Sequence, residues 1–538
     1  MGRMRARKRE QQRLDEVARG YEAAGDIAMK RFAYIEATAQ FERALAESHS
    51  AEDEVRLCEK VGQSLFYGAR PDFATAWFER ALKLCDEAHF SEKHAATARR
   101  TSLEILRLLP AQQWLESRTA EALDTSLRAR AQAVDEGDIL GAQHSDTSIT
   151  VLLALLGRYD EAKNYASEHL QELGIEETSW VHSNRMICHA ILWAMRGRML
   201  PAFAEFERAI DAAKEIPDGY QTTNIWDDYA NWAMVLGRVD VARGCRESAL
   251  LVARERRIAW RIPYLTLRFA NTLLITGEYD QARDLVRDAL TYDTTTPAIR
   301  VLLSITGVEL ATTLGDEKLL KRTFDSEALE LAMKSGEPER IAPIAAAYAK
   351  VWIARGERRR AKMLIARGMN AIKQSDHAGD LLVLATRFGS REGAARARDL
   401  FAERIRLPHH QVAEAYLALS EAYTKRRSET ETRMHAHAAA RLFGRLGYRH
   451  QQTEASKLLG TPKNVLASDN RKSIFGHLDP TLTTRERQVA ELVLRGLTNR
   501  AIAETLAISE HTVETHMTSI LNRLGLRSRW QLMSSKEA

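Results

Sequence analysis

Proline and glycine are scarce in this chain of 538 residues, with 11 and 28 copies. Few breakers allow long helices, so an all-α fold starts ahead of any strand-rich alternative. Four cysteines, Cys58, Cys85, Cys188 and Cys245, stand far apart with no CxxC pair. That spacing excludes a zinc or dithiol site and reads as buried thiols in a reducing cytosol. No Gly-Lys dipeptide occurs anywhere, which excludes a GxxxxGK[ST] phosphate loop. No run approaches 18 uncharged apolar residues; the best, from Ile341, is broken by Lys350. Neither a membrane span nor an export signal is expected, and the basic start lacks an apolar segment behind it.

Charge of one sign is also lacking. The net +5 matches the first thirteen residues, where Arg3, Arg5, Arg7, Lys8, Arg9 and Arg13 stand against Glu10. The remainder is formally neutral, so a bulk pI says nothing about nucleic-acid binding. Residues 1–13 read as a basic tail. Hydrophobic content of 45% with 28% charged residues is that of a globular protein able to build a large core.

What the chain has is a period. GRYDEA at Gly157, GRMLPA at Gly197, GRVDVA at Gly237 and GEYDQA at Gly277 recur every 40 residues, with weaker copies at Gly315 and Gly356. Glycine suits the left-handed turn that ends a helix. A small residue follows five positions later at Ala162, Ala202, Ala242, Ala282 and Ala361, and another precedes by seven at Ala190, Ala230, Ala270 and Ala349. Facing alanines let two helices approach closely. Each unit is therefore a helical hairpin that buries its apolar face by stacking on neighbours, giving an α-solenoid over residues 14–459. Phe41 to Leu45 and Phe78 to Leu82 are looser copies. The Gly-x-Tyr-Asp-x-Ala turn and closing Ala-Leu resemble the tetratricopeptide family, though the period exceeds that family's usual 34. The resemblance implies a concave first-helix surface, on which Asn184, Asn224, Asp227, Asn231, Tyr264 and Asn271 would present hydrogen-bonding groups to a peptide or small-molecule effector, with Trp226, Trp232 and Trp260 nearby.

Pro462, Gly476 and Pro480 interrupt the helical pattern, so residues 460–481 read as a linker. From residue 482 to 538 a different pattern follows. Thr483 and Glu486 form a capping box, Thr498 and Ser509 are N-caps, and Val513, Met517, Ile520, Leu521 and Leu524 make one apolar stripe. A small four-helix domain with a helix-turn-helix is the expected architecture. LTTRE, GLTN, ISEHTV and RLGLRSR resemble the DNA-binding domain of LuxR-family bacterial transcription regulators. That resemblance makes Glu510 to Leu524 a recognition helix with Thr512, Glu514, Thr515 and Thr518 nearest DNA. The wider DNA-binding set is Thr498, Asn499, Arg500, Ser509, His511, Asn522, Arg523 and Arg527. Glu514 stands where the family usually has Lys, and Ala501 where it usually has Glu. From Leu478 onward eight Lys/Arg face seven Asp/Glu, so the domain is barely basic and dimerisation on paired half-sites is expected.

The histidines form no catalytic constellation: His435 and His437 lie on different helix faces, and His511 to His516 lacks HExxH. No enzyme activity, metal or cofactor is expected. The resulting expectation is a cytoplasmic transcription regulator that binds double-stranded DNA as a homodimer, with RNA polymerase or another protein as a further partner and no membrane association. The alternative is a repeat scaffold for protein docking with vestigial DNA binding.

Overall fold

The computed structural model describes residues 2–48, 50–68, 71–87, 92–170, 178–195, 198–216, 219–292, 296–372, 379–388, 390, 409–425, 428–459, 483–494, 499–506 and 508–523. Among them there is no strand. Antiparallel helix pairs follow one another: α1 (Gly2–Lys30) with α2 (Tyr34–Glu47), α3 (Ala51–Tyr67) with α4 (Pro71–Glu87), and α5 (Glu92–Leu115) with α6 (Thr119–Asp135). The periodic region supplies α7 (Ile139–Leu155) with α8 (Tyr159–His169), α9 (Ser179–Met195) with α10 (Met199–Ala213), α11 (Tyr220–Val235) with α12 (Val239–Glu255), and α13 (Arg261–Thr276) with α14 (Tyr279–Ala289). There follow α15 (Pro297–Leu314), α16 (Glu317–Thr323), α17 (Ser326–Ser335), α18 (Pro338–Ala354), α19 (Arg358–Ala371), α20 (Gly379–Arg387), α21 (His409–Lys425), α22 (Glu429–Leu446) and α23 (Arg449–Lys457).

The glycine turns explain the hairpins. Gly157, Gly237, Gly277 and Gly356 all have φ between 73° and 83°. In each case the next residue's N–H reaches five residues back, as in Arg238 to Ala233 at 2.7 Å and Glu278 to Leu273 at 2.8 Å. This closes a Schellman motif. Gly197 lies outside the described residues. Earlier turns use Phe32 and Ser117 at positive φ instead of glycine, which is why the repeat is hard to read there. All nine facing alanines named above are fully buried. The basic segment falls within α1, which begins at Gly2; its Arg, Lys, Gln and Ala residues are good helix formers with no breaker. One reading needs correction. Cys85 is only half-buried, unlike the other three thiols.

The long apolar helix is α15 rather than the stretch from Ile341. Among the described residues it alone is long and apolar enough to cross a membrane, yet 67% of it is buried inside the protein. It carries Arg300 and Glu309, each paired within the fold. Its composition is that of a central core helix.

The solenoid winds until distant hairpins touch. Trp114 packs edge-on to Tyr264 with ring centres 5.8 Å apart, and Phe66 meets Tyr220 at 5.3 Å. The Arg340 guanidinium lies 4.8 Å from the Trp114 ring centre and donates to Ser117 Oγ at 3.0 Å, across 223 residues of sequence. Thr119 Oγ1 donates to Glu337 Oε1 at 2.5 Å. At the other end Tyr448 donates to the Met234 carbonyl at 2.7 Å, and His450 sits 3.2 Å from both Tyr279 Oη and Glu309 Oε1. Lys350 also pairs with Glu309, at 2.8 Å; burial pushes that carboxyl up, but the Lys350 charge and the hydrogen bond from His450 outweigh it and hold it well below the usual range. The concave side is thereby closed around an axis.

A methyl group added at Gly237 would meet Leu446 Cδ2 at 2.4 Å as well as a left-handed φ of 77°. Gly237→Ala is expected to destabilise the fold by roughly 1–3 kcal/mol. Gly244, in open space within α12, tolerates alanine or gains slightly. Thermal unfolding of the two variants checks the contrast.

Candidate functional sites: a helix-turn-helix face and an axial cavity

Beyond the solenoid stand α24 (Thr484–Leu494), α25 (Asn499–Leu506) and α26 (Glu510–Arg523). The expected capping box is present: the Glu486 backbone N–H donates to Thr483 Oγ1 at 3.2 Å, and the Thr483 N–H donates to Glu486 Oε2 at 2.8 Å. The other carboxylate oxygen accepts from Ser519 Oγ at 2.5 Å, so one buried glutamate ties the start of α24 to the middle of α26. The sequence reading missed that second role. Arg485 donates to the Leu506 carbonyl at 2.6 Å and thus closes the C-terminal end of α25. Val489, Val493, Ile502, Val513 and Ile520 have no exposed surface and form the core among the three helices.

That packing fixes which face of α26 is left over. Ser509 caps the helix by accepting from the Thr512 N–H at 3.0 Å, and its hydroxyl lies 2.7 Å from that of Thr512. His511, Glu514, Thr515 and Thr518 are exposed, while Thr512 is half-buried. Thr515 and Thr518 donate their hydroxyl hydrogens back to the carbonyls of His511 and Glu514 at 2.9 and 3.0 Å. Each then offers outward an acceptor lone pair and a methyl group. The Glu514 carboxylate lies 3.8 Å from His511 Nδ1. Among the described residues the face therefore carries acceptors and methyls. Asn499 is half-buried at the start of α25. Thr498, Arg527 and the side chains of Arg500, Asn522 and Arg523 lie outside the described residues, as do the linker 460–481 and any fourth helix.

The second site is a cavity of about 240 Å³ on the solenoid axis. Its wall comes from the first helices of successive hairpins: α3, α5, α7, α9, α11, α13, α15 and the start of α18. Asn184, Asn224, Asp227, Asn231 and Tyr264 all line it. Asn271 does not. The amides are held in place through one atom each: Asn184 Nδ2 donates to the Trp180 carbonyl at 2.8 Å, Asn224 Oδ1 accepts from Arg261 at 2.6 Å, and Asn231 Oδ1 accepts from Arg246. Asp227 is a structural ion rather than an open ligand group, being buried against Arg246 with Arg268 at 3.6 Å. One carboxylate thus serves two guanidinium groups.

Several cavity residues escaped the sequence reading. His144 stacks on Trp180, ring centres 3.9 Å apart and planes within 4°. Burial, with Arg107 adding to it, pushes His144 down to about 3, so the ring is neutral. Arg261 lies 5.0 Å from the Tyr264 ring centre and 5.4 Å from that of Trp260. Asp228 lines the cavity with no hydrogen bond or ion pair among the described residues. Burial pushes it up to about 6 and Glu339 adds to this, against the opposing charges of Arg261 and Arg268. Helical spacing places Asp228 one turn from Asn224, a signal the sequence did contain.

Residues 480–535 match the family described as bacterial regulatory proteins, luxR family. The chain is 49% identical over 53 residues to the HTH-type transcriptional regulator Mb0914c of Mycobacterium bovis, covering 10% of this chain and 6% of that protein. It is 35% identical over 79 residues to the oxygen regulatory protein NreC of Staphylococcus aureus, covering 14% and 36%. The chain thus spans well under half the length of these relatives. Among solved structures, the apo form of the quorum sensor NprR from B. thuringiensis aligns at 15% identity over 65% of this chain and 99% of that one, with a TM-score of 0.40. A Rap protein complexed with competence and sporulation factor aligns at 11% identity over 77% and 99%, TM-score 0.35.

Asp228 has a measurable signature. Its folded carboxyl holds a proton more tightly than the unfolded one, so its contribution to stability is full below about pH 4 and is lost as pH rises towards about 6. Asp228→Asn removes this loss. Because the cavity admits some water, the gain above pH 7 is on the order of 1–2 kcal/mol and should vanish near pH 4. Denaturant unfolding at the two pH values reads it.

Proposed function

We propose that this chain, which carries a DNA-binding domain of the LuxR family of bacterial regulators, is a sequence-specific transcription regulator whose helical repeats sense an effector or dock a partner. The observation that carries the reading is the face of α26: four exposed polar side chains on a helix whose opposite face is locked into a three-helix core. A major groove about 12 Å wide admits such a helix. Glu514 accepts from cytosine N4, and the outward methyls of Thr515 and Thr518 suit thymine C5-methyl groups. The near-neutral domain limits phosphate attraction, which favours a homodimer spanning two half-sites. The protein acts in the cytoplasm on double-stranded DNA, and RNA polymerase is the natural further partner of an activator.

The second reading is a docking scaffold with little DNA affinity, favoured by the carboxylate at Glu514. Footprinting of the full chain against a chain lacking residues 478–538 decides between them. Protection is expected to disappear with the deletion, and sequence-specific protection that survives it overturns the assignment. Within the intact chain, Glu514→Lys should raise nonspecific DNA affinity and steepen the slope of log K against log salt by about 1. Binding titrations at several salt concentrations measure this.

A further inference from the structure

The axial cavity has a charge pattern that specifies a class of ligand. Four guanidinium groups in or behind its wall, Arg246, Arg261, Arg268 and Arg340, face four carboxylates, Asp227, Asp228, Glu337 and Glu339. Arg107, also at the wall, is answered by Glu104 and Asp138. The cavity is therefore balanced overall, which disfavours a ligand with net charge. The balance is uneven in space. Arg340 is paired with Glu337 at 2.9 Å, whereas Arg246 and Arg268 share Asp227, and among the described residues Arg261 has no carboxylate within ion-pair distance. Positive charge is left over around Arg261 and Arg268. Negative charge is left over at Asp228 and at Glu339 on the rim, neither of which makes an ion pair among the described residues.

Four of the aromatic rings that would attract an ammonium group already have a guanidinium beside them. Arg261 occupies Tyr220, Trp260 and Tyr264, and Arg340 occupies Trp114. What stays open is polar and directional: the Asp228 carboxylate, the amide oxygen of Asn184, and the amide N–H groups of Asn224 and Asn231, whose partner atoms are held by the protein. Asn224, Asp228 and Asn231 follow at i, i+4 and i+7 on one face of α11. Beside them is an apolar wall of Val151, Leu152, Ile187 and Leu302, with the stacked His144 and Trp180 rings.

We infer that the cavity is a binding site for a small zwitterion with an apolar or aromatic side chain, in chemical class an α-amino acid. The ammonium group pairs with Asp228 and donates to the Asn184 carbonyl. The carboxylate turns towards Arg268 and accepts from one of the two amides, Asn224 or Asn231, which stand about 10 Å apart along α11, while the side chain lies on the apolar wall. A volume of about 240 Å³ suits one such molecule. An extended peptide along the groove would have to cross the contacts joining residues 114–119 to residues 337–340. Because the wall draws on one helix from each of eight neighbouring hairpins, an occupant sets the pitch of the superhelix. This inference rests on the reading of the repeats as a sensor and names what they sense.

Calorimetric titration of the full chain at about pH 8, where Asp228 is ionised, with L-leucine, L-phenylalanine and L-tryptophan tests it. At least one should bind saturably, one per chain. For that amino acid, the amine lacking its carboxylate and the acid lacking its ammonium should each bind at least about tenfold more weakly, a difference of about 1.4 kcal/mol. Asp228→Asn should weaken the amino acid by a similar factor and leave the ammonium-free acid unchanged. Ser148→Trp, which fills the cavity from its wall, should abolish binding in a chain whose circular dichroism melt is intact. The inference is overturned if none of the three binds at concentrations up to roughly 10 mM, if the amine alone binds as well as the zwitterion, or if folded Ser148→Trp still binds. Footprinting of the same preparations separates the two readings. Protection without amino-acid binding overturns the ligand class and leaves the regulator standing. Amino-acid binding without protection supports the ligand class and removes the regulator.

Discussion

A guanidinium resting on an indole holds the solenoid closed. Arg340 covers Trp114, pairs with Glu337 and donates to Ser117, and Glu337 in turn accepts from Thr119. Arg340, Glu337, Ser117 and Thr119 are buried and Trp114 is half-buried, and burial raises the Glu337 carboxyl against the pull of Arg340. Such a cluster contributes little net stability when complete, but losing one partner leaves an uncompensated charge inside the protein at a cost of several kcal/mol. Its role is therefore positional. It joins residues more than two hundred apart, turns an open concave groove into a walled cavity, and brings the asparagines of α9 and α11 opposite α5 and α18.

The repeat was legible because its signals are local. A glycine at a left-handed turn and an alanine at a helix crossing are each dictated by backbone geometry within a few residues, and both recur every 40 positions. The first hairpins lost that legibility because Phe32 and Ser117 occupy the left-handed position, where the surrounding packing enforces what glycine would allow freely. Helix caps in the C-terminal domain were legible for the same local reason. The closure was not. Arg340 and Trp114 carry no sequence mark of each other, since the number of hairpins per superhelical turn depends on small rotations accumulated over many interfaces.

The candidate effector residues show the same division. Stacked positions on first helices could be read by adding and subtracting the period, and five of the six do line the cavity. Which of them are open and which are structural could not be read, because Asp227 is claimed by Arg246 from a different helix and Asp228 is left bare by the same packing. In the C-terminal domain, similarly, Arg485 closes a helix end through a carbonyl 21 residues away. Charged residues change role according to a neighbour that only folding supplies.

A cavity walled by eight successive hairpins and a DNA-reading face at the end of the chain are coupled if closure of the first governs the second. The most direct measurement is the affinity of the full chain for its operator with Arg340→Gln, a change that weakens the closure without touching α24, α25 or α26. A severalfold change in affinity, with helical content retained by circular dichroism, is expected from coupling. An unchanged affinity in a chain whose closure is shown by hydrogen exchange to have opened would contradict it.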